Sequence, residues 1–255
     1  MSNINLTAAF VALDRALYNH SDLWQERPFE ATALNWFASY PHLKSELLSL
    51  DDVTARTLHQ DPEERLSWFE SLLPELCDAL YAFSPKPAPA GISVSVGAFE
   101  QVGIPGRKWK QVLSFAESMH PINTPIVDWC SGKGHLSRVV QRSMGQPVHC
   151  LEWDERLVAS GTELAKQDGL DIHYHHHNVM EPLPDFCAHP ENTHIALHAC
   201  GDLHIQMLKQ VATYQAGALI LSPCCYHKTQ YNVYEPLSNA AKRTMLQLDR
   251  SALQL

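Results

Sequence analysis

The sequence has no long hydrophobic run, and this absence limits where the protein can act. Its 255 residues contain no stretch of about 18 apolar residues, and no charged segment followed by an apolar one comes after Met1. Membrane spanning and secretion therefore have no support from the sequence. We expect a cytoplasmic protein.

Positive charge is also scarce. The chain has 19 Lys and Arg residues against 28 Asp and Glu residues, a net charge of −9. Because affinity for phosphates comes from lysine and arginine, an acidic chain is a poor non-specific binder of nucleic acid. Any contact with RNA would be local, and Arg107, Lys108 and Lys110 are the residues in position to make it.

Neither cysteine nor histidine is arranged in a recognised metal motif. The seven cysteines include no C-x-x-C pair, and in a cytoplasmic protein we expect reduced thiols. His173, His175, His176 and His177 form a run, but neighbouring residues of a strand point to opposite faces. The sequence therefore predicts no metal site.

Proline and hydrophobic spacing divide the chain. Apolar residues recur at helical spacing up to Phe83, and an alternating-proline segment follows. We predict an all-helical domain over 1–84, a linker with a short strand over 85–98, and a second domain over 99–255. A helix should start at Asp61-Pro62, and five aromatic side chains should form the helical core. These are Trp24, Trp36, Phe37, Trp68 and Phe69.

Strand and helix patterns alternate from residue 125 onward. This alternation predicts an α/β domain with a doubly wound parallel sheet, whose ligand site lies at the carboxyl ends of the strands. The predicted strands are 125–129, 148–152, 172–178, 194–199 and 217–222, and the predicted helices are 133–142, 155–167 and 203–212.

The glycine turn after the first of these strands carries the sharpest signal. Gly132 and Gly134 open a helix, but Ser137 stands where a dinucleotide enzyme needs its third small residue for packing. Asp128, four residues before Gly132, would repel a pyrophosphate and attract an ammonium group. This combination favours S-adenosyl-L-methionine, which carries an ammonium group on its amino-acid part and a sulfonium, and therefore a class I methyltransferase.

Three further strand ends complete the predicted cofactor site. Glu152 lies twenty positions after Gly132, the separation that brings a carboxylate to ribose hydroxyls. Asn178 ends the third strand, where its amide could pair with an adenine edge. His198, at the end of the fourth strand, is also predicted to lie beside the cofactor.

The ends of the fourth and fifth strands should form the acceptor side. There His198, Cys200 and Asp202 would face Cys224, Cys225, Tyr226 and His227. Three interpretations stay open: a transfer site with an acid or base, a metal site, and buried thiols that fill space. The catalytic candidates are Asp202, Tyr226, His227 and Cys224, the last because a Pro-Cys pair resembles the nucleophile of cytosine C5 methylases. The Asn/Asp-Pro-Pro-aromatic loop of adenine methylases is absent.

Four segments also resemble motifs of one methyltransferase family. They are the glycine loop Val127–Arg138, Leu197–Leu203, Ser222–Lys228 and the basic segment Gly106–Gln111. The family includes the glutathione S-transferase C-terminal-domain-containing protein and methyltransferase-like relatives with a ribosomal RNA adenine dimethylase domain. The resemblance covers about residues 99–228, with Cys130 standing where a glycine or other small residue is usual.

This resemblance implies a Rossmann-like methyltransferase fold that binds S-adenosyl-L-methionine through Asp128, Cys130, Gly132, Gly134 and Glu152. It leaves the acceptor open among RNA, protein and small molecules. After the fifth strand only a helical stretch, 235–255, is predicted, in place of two further strands. A cofactor-binding scaffold without transfer activity, whose helical domain binds a protein partner, is therefore the alternative.

Overall fold

A computed structural model describes residues 5–27, 31, 33–83, 91–97 and 101–254. The chain forms two compact units, one of Met1–Lys86 with Tyr231–Leu253 and one of Pro87–Gln230. The predicted linker falls largely outside the described residues. The second domain was predicted to run to residue 255, whereas the structure assigns the segment after Gln230 to the helical unit.

Helices form the first unit. Their bounds are α1 Leu6–Asn19, α2 Ser21–Trp24, α3 Pro41–Ser49, α4 Asp52–Gln60, α5 Pro62–Glu70 and α6 Pro74–Phe83. As predicted, Asp61 caps α5, with its carboxylate accepting from the amides of Glu63 at 2.9 Å and Glu64 at 3.2 Å. Trp36, Phe37, Trp68 and Phe69 belong to one apolar cluster, and Trp24 lines the same helical core.

The segment after Gln230 folds differently from its prediction. Instead of a helix over 235–255 it forms single 3₁₀ turns, Ala241–Arg243 and Ala252–Gln254. Thr244 leaves the helical conformation because its hydroxyl bonds to the Asp14 carboxylate of α1, which also accepts from the Met245 amide at 3.2 Å. A tertiary contact therefore overrides the local helix propensity of this stretch.

The second unit contains a five-stranded parallel sheet. Its strands are β1 Ile126–Trp129, β2 Val148–Glu152, β3 Ile172–His176, β4 Thr193–Cys200 and β5 Ala218–Cys224, in the order β3-β2-β1-β4-β5. Its helices are α7 Gly106–Glu117, α8 His135–Met144, α9 Glu155–Gln167 and α10 Asp202–Tyr214. The predicted doubly wound α/β fold is confirmed, and β2 and α9 have the predicted bounds.

Both faces of this sheet are covered by apolar side chains. One cluster joins the sheet to residues of α7, α8 and α9, and the other joins it to α10 and residues 179–188. All four residues of β1 are buried, as expected for the central strand of a parallel sheet. This packing leaves the strand ends as the place where side chains can meet a ligand.

Residues 92–96 do not form the predicted short strand. Ile92 donates to the Met119 carbonyl at 3.1 Å, and Ser95 donates to the Ser143 hydroxyl at 2.9 Å. These are single bonds to a helix end and a side chain, so no strand ladder forms. Among the helices that the structure describes, none is long and apolar enough to cross a membrane.

Candidate active site at the strand ends

The glycine loop between β1 and α8 has three residues with left-handed backbone: Cys130 (φ 55°), Gly132 (φ 60°) and Gly134 (φ 70°). The two glycines have different functions. A Cβ at Gly134 would lie 1.7 Å from the Tyr174 hydroxyl oxygen, whereas a Cβ at Gly132 would meet no atom within 4 Å. Gly134 is therefore required for packing against β3, and Gly132 leaves the loop backbone open to a ligand.

Glu152, at the end of β2, holds this loop. One carboxylate oxygen accepts from the Gly132 amide at 2.8 Å, and the other accepts from the Asp154 amide at 2.9 Å. The sequence predicted Glu152 as the acid that reaches ribose hydroxyls, and the structure places it against the glycine loop. Each carboxylate oxygen has a second lone pair, which could accept a ribose hydroxyl.

Asp128 lies beneath the loop. It is 2% exposed, and its carboxylate accepts a hydrogen bond from the Ser137 hydroxyl of α8. Ser137 in turn accepts from the Cys150 thiol at 3.0 Å. Burial raises the pKa of the Asp128 carboxyl to about 7, and the Ser137 hydrogen bond only partly opposes this. The sequence predicted that the Asp128 carboxylate would meet the ammonium group of the cofactor. The structure instead buries it against Ser137 of α8.

Asn178 follows β3 and is partly exposed. Its side-chain oxygen accepts from the Met180 amide at 3.1 Å, which closes a local turn. Its amide nitrogen lies 3.5 Å from the Glu181 carboxylate. The structure places Asn178 at the predicted edge of the sheet, with its amide nitrogen the freer of its two polar atoms.

Backbone strain is found along the whole carboxyl edge of the sheet. Four non-glycine residues of the described chain have positive φ, and three of them lie at or near this edge: Cys130 directly follows β1, Cys225 directly follows β5, and His198 lies two residues before the end of β4. The fourth, Gln215, ends α10. Because such conformations cost free energy and persist where the surroundings impose them, their position at strand ends marks a candidate functional site.

His198 sits in a bulge of β4. Its φ is 68°, and the β4–β5 register shifts between Leu197 and Cys200. The bulge directs the ring towards α7, where Nε2 lies 3.2 Å from the Gln111 side-chain oxygen. Burial, with Lys108 and Arg107 nearby, lowers the pKa of His198. The basic segment predicted from the sequence therefore lies beside this strand end.

The ends of β4 and β5 are joined by backbone bonds. The Gly201 amide donates to the Cys224 carbonyl at 3.2 Å, and the Asp202 amide donates to the Lys228 carbonyl at 3.1 Å. The Asp202 carboxylate accepts from the Gln230 amide at 2.8 Å. Asp202, predicted as a catalytic candidate, therefore holds the loop after β5 in place.

Tyr226 and His227 project from that loop. Tyr226 is 45% exposed, and its ring lies edge-on to that of His204, with 5.3 Å between the ring centroids. His227 has a buried Nδ1 with no hydrogen-bond partner. A buried nitrogen without a partner is costly, which suggests that a ligand supplies the missing bond.

Cys224 is poorly suited to nucleophilic attack. Burial, together with hydrogen bonds that the Cys224 thiol donates to the neighbouring sulfurs of Cys200 and Cys225, raises its pKa to about 12. The thiolate is the nucleophilic form, so very little of it would exist near neutral pH. The Cys224 and Cys200 sulfurs lie 3.1 Å apart.

Sequence analysis missed several residues that contact this site, namely Gln111, Tyr174 and His204. It also missed a cluster of histidines on one sheet face. His173 and His175 share a face because they are two residues apart, and His149 of β2 joins them, with its Nδ1 3.2 Å from Nε2 of His175. The i, i+2 spacing could have predicted the shared face, but only the strand pairing brings in His149.

Comparison with known proteins agrees with this architecture. Residues 107–232 match a protein family described as "Methyltransferase domain". The matched region runs from the basic start of α7 through the glycine loop to just beyond the loop after β5. At the level of this domain, the predicted methyltransferase class is confirmed.

Several solved structures resemble parts of the chain. One is the YcgJ protein of Bacillus subtilis, with 14% identity over 40% of this chain and 44% of that one, and a TM-score of 0.34. Another is the Pyrococcus abyssi tRNA (uracil-54, C5)-methyltransferase in complex with S-adenosyl-L-homocysteine, with 17% identity over 45% of this chain and 28% of that one, and a TM-score of 0.36. A third is an S-adenosylmethionine-dependent methyltransferase of Clostridium acetobutylicum, with 9% identity over 49% of this chain and 50% of that one, and a TM-score of 0.34. The chain spans no more than half the length of these proteins, and likenesses this weak carry no argument about function. What residues 107–232 share with other proteins is thus a methyltransferase domain, recognised by its family match.

Proposed function

We propose that this chain transfers a methyl group from S-adenosyl-L-methionine to a nucleophile at the carboxyl ends of β4 and β5. The observation that carries the proposal is the contact between Glu152 and the Gly132 amide at 2.8 Å. It joins the acid of the second strand to an open glycine loop after the first, an arrangement suited to a nucleoside. When bound, the cofactor supplies an electrophilic methyl group on a sulfonium.

Each residue of the cofactor side would act in its own way. Gly132 leaves room for the ligand, Glu152 accepts from ribose hydroxyls, and the amide nitrogen of Asn178 donates to the adenine edge. Asp128 would act indirectly, because its buried carboxylate accepts from Ser137 and so fixes α8 against the strand that precedes the loop. Cys130 and His198 border the same edge, and both are held in left-handed conformations.

On the acceptor side, His227 is the candidate proton acceptor because its buried Nδ1 has no partner. Tyr226, exposed at the loop surface, would orient the acceptor. Asp202 acts as a positioning residue through its bond to the Gln230 amide. Cys224 is the weakest of the catalytic candidates, since its thiol is protonated at neutral pH.

Arg107 and Lys108, both exposed on α7 and close enough to influence His198, favour an acidic acceptor such as RNA. Lys110, exposed on the same helix, would add to this contact. Kinship with the glutathione S-transferase C-terminal-domain-containing protein and its adenine-dimethylase-domain relatives is part of this proposal, as are a cytoplasmic location and a protein partner for the helical unit.

Binding of S-adenosyl-L-homocysteine tests the cofactor side. We expect the full chain to bind it in calorimetry and to melt at a higher temperature with it, because a ligand of the folded state stabilises by mass action. Glu152→Gln and Gly132→Val should each weaken binding at least about tenfold, a loss of about 1.4 kcal/mol.

Two matched controls separate the site from general damage. Glu191→Gln removes an exposed carboxylate near the opposite end of the sheet, and Gly145→Val strains another left-handed glycine with open space around it. Both should bind like the parent chain. If the folded parent does not bind, or if the site variants bind as tightly as the controls, the assignment of this site is wrong.

Transfer is tested with methyl-labelled S-adenosyl-L-methionine and three acceptor fractions: total RNA, total protein and small thiols. We expect Tyr226→Phe and His227→Asn to keep S-adenosyl-L-homocysteine binding and to lose transfer. Label in the RNA fraction that falls when Lys108 is replaced by glutamate would support an RNA acceptor. Cofactor binding without transfer to any fraction would favour the scaffold alternative.

A further inference from the structure

Three cysteine thiols meet where β4 and β5 end. The sulfur atoms of Cys200, Cys224 and Cys225 all lie within 4.8 Å of one another, and each of the three residues is partly buried. Within the described part of the chain, this is the one group of three or more histidine, cysteine and acidic residues compact enough to hold an ion. From the sequence, a metal site was one of three interpretations of this region, and the absence of a C-x-x-C pair argued against it.

Local backbone geometry explains how the three thiols come together. Cys200 of β4 pairs directly with Cys224 of β5 after the register shift at the β4 bulge. Cys224 and Cys225 are adjacent, and in a regular strand adjacent side chains point to opposite faces. Cys225 has a φ of 49°, which breaks this alternation and lets both sulfurs face Cys200.

We propose that Cys200, Cys224 and Cys225 form a three-thiolate site for one zinc ion. A Zn–S bond is about 2.3 Å long, so two sulfurs bound to one ion lie at most about 4.6 Å apart. All three sulfurs lie within 4.8 Å of one another, and Cys200 and Cys224 need only a small separation from their present 3.1 Å. Three thiols release three protons to solvent as the ion binds.

The fourth ligand position has no protein occupant among the described residues, because no histidine or carboxylate ligand atom lies within 4.8 Å of all three sulfurs. Zinc sites that bind water or substrate have three protein ligands and one such open position, whereas structural sites usually have four protein ligands. A water molecule or an acceptor group would complete this site. The proposal rests on the thiol geometry alone and does not depend on the transfer reaction.

Metal titration of the full chain tests the site. After reduction and removal of metal, the chain should bind one equivalent of zinc in competition with a chromogenic chelator. Cobalt in place of zinc should give the intense thiolate-to-metal charge-transfer band of a cysteine-bound ion. Three single variants should each weaken zinc binding by at least about tenfold: Cys200→Ser, Cys224→Ser and Cys225→Ser. This is the smallest loss expected, because losing even a residue that only supports a metal ligand typically weakens affinity about tenfold.

Cys187→Ser is the matched control, since Cys187 is a buried free thiol of the same unit outside the group. It should leave zinc affinity unchanged. Failure of the folded parent chain to give the cobalt charge-transfer band would overturn the proposal even if every site variant failed to fold.

Two other results would also overturn it. Zinc binding that survives all three site substitutions would place the ion elsewhere, for example at the His149, His173 and His175 cluster. A Cys200–Cys224 disulfide found by mass spectrometry, in a chain that binds no zinc after reduction, would make the pair a redox site.

Discussion

The two halves of the carboxyl edge of the sheet carry different side chains. On the β1–β2 side, carboxylates bond to the loop and to a hydroxyl, as in the contacts of Glu152 with Gly132 and of Asp128 with Ser137. On the β4–β5 side the side chains are mainly histidines and thiols, and His227 has a buried nitrogen without a partner. Each half also has strained backbone, at Cys130 on the first and at His198 and Cys225 on the second, so the halves differ in chemistry and not in the presence of strain.

The largest expected effect that tests this comparison is on the β4–β5 side. A Cβ at Gly201 would lie 1.6 Å from the Lys228 carbonyl oxygen, and Gly201 has φ 54° and ψ −127°. Gly201→Ala should therefore lower the free energy of unfolding by about 3 kcal/mol or more, through the clash and the backbone strain together. Urea unfolding followed by circular dichroism measures it.

Gly132→Ala is the matched variant on the β1–β2 side. Its φ is also left-handed, but no atom lies within 4 Å of the added carbon, so we expect a loss of only about 1 kcal/mol. Similar losses for the two variants would mean that the loop after β5 does not depend on its close contact with Gly201.

An intermediate effect concerns the charge of Asp128. Burial raises its pKa to about 7 in the folded chain, above the usual value of 3.8, so between these values the folded chain holds a proton that the unfolded chain releases. The carboxyl therefore favours folding below about pH 4 and loses that contribution as the pH rises through 7. Between pH 5 and pH 8 the loss is about 2–3 kcal/mol.

Asp128→Asn removes this titration and keeps an oxygen that can accept from Ser137. Relative to the parent, the variant should gain stability as the pH rises from 5 to 8, measured by urea unfolding at each pH. A stability difference that stays constant across this range would show that Asp128 is ionised in the folded chain. The β1–β2 half of the edge would then hold a charged carboxylate whose pKa is not raised by burial.

The smallest expected effect comes from Gln215, whose left-handed backbone (φ 52°) ends α10 away from the strand ends. Gln215→Gly should raise the free energy of unfolding by about 0.5–1 kcal/mol, because glycine adopts this conformation without strain. S-adenosyl-L-homocysteine binding and zinc binding should not change. His198→Gly relieves a similar strain but should weaken S-adenosyl-L-homocysteine binding. This difference would show that the left-handed backbone of His198 serves ligand binding, whereas that of Gln215 only ends a helix.

The sequence alone predicted the main elements of the second unit because their patterns are local. Apolar runs bounded by glycine and polar residues predicted all five strands, and the spacing of Gly132 and Glu152 predicted an acid at the end of β2 on the same sheet edge as the glycine loop. The direct bond between the two residues was not predicted. The cap at Asp61 was predicted for the same reason, since a helix start depends on a few neighbouring residues.

Only the tertiary structure decided the features that depend on distant parts of the chain. The contact of Asp14 with Thr244 lies where the sequence predicted a helix. Burial raises the pKa of Asp128, whose carboxylate contacts Ser137. The bulge in β4 and the left-handed Cys225 gather three thiols that show no metal motif in the sequence. Residues close in sequence determine where helices and strands begin and end. Which side chains are buried, which residues are strained and which thiols meet depend instead on which strands become neighbours in the sheet.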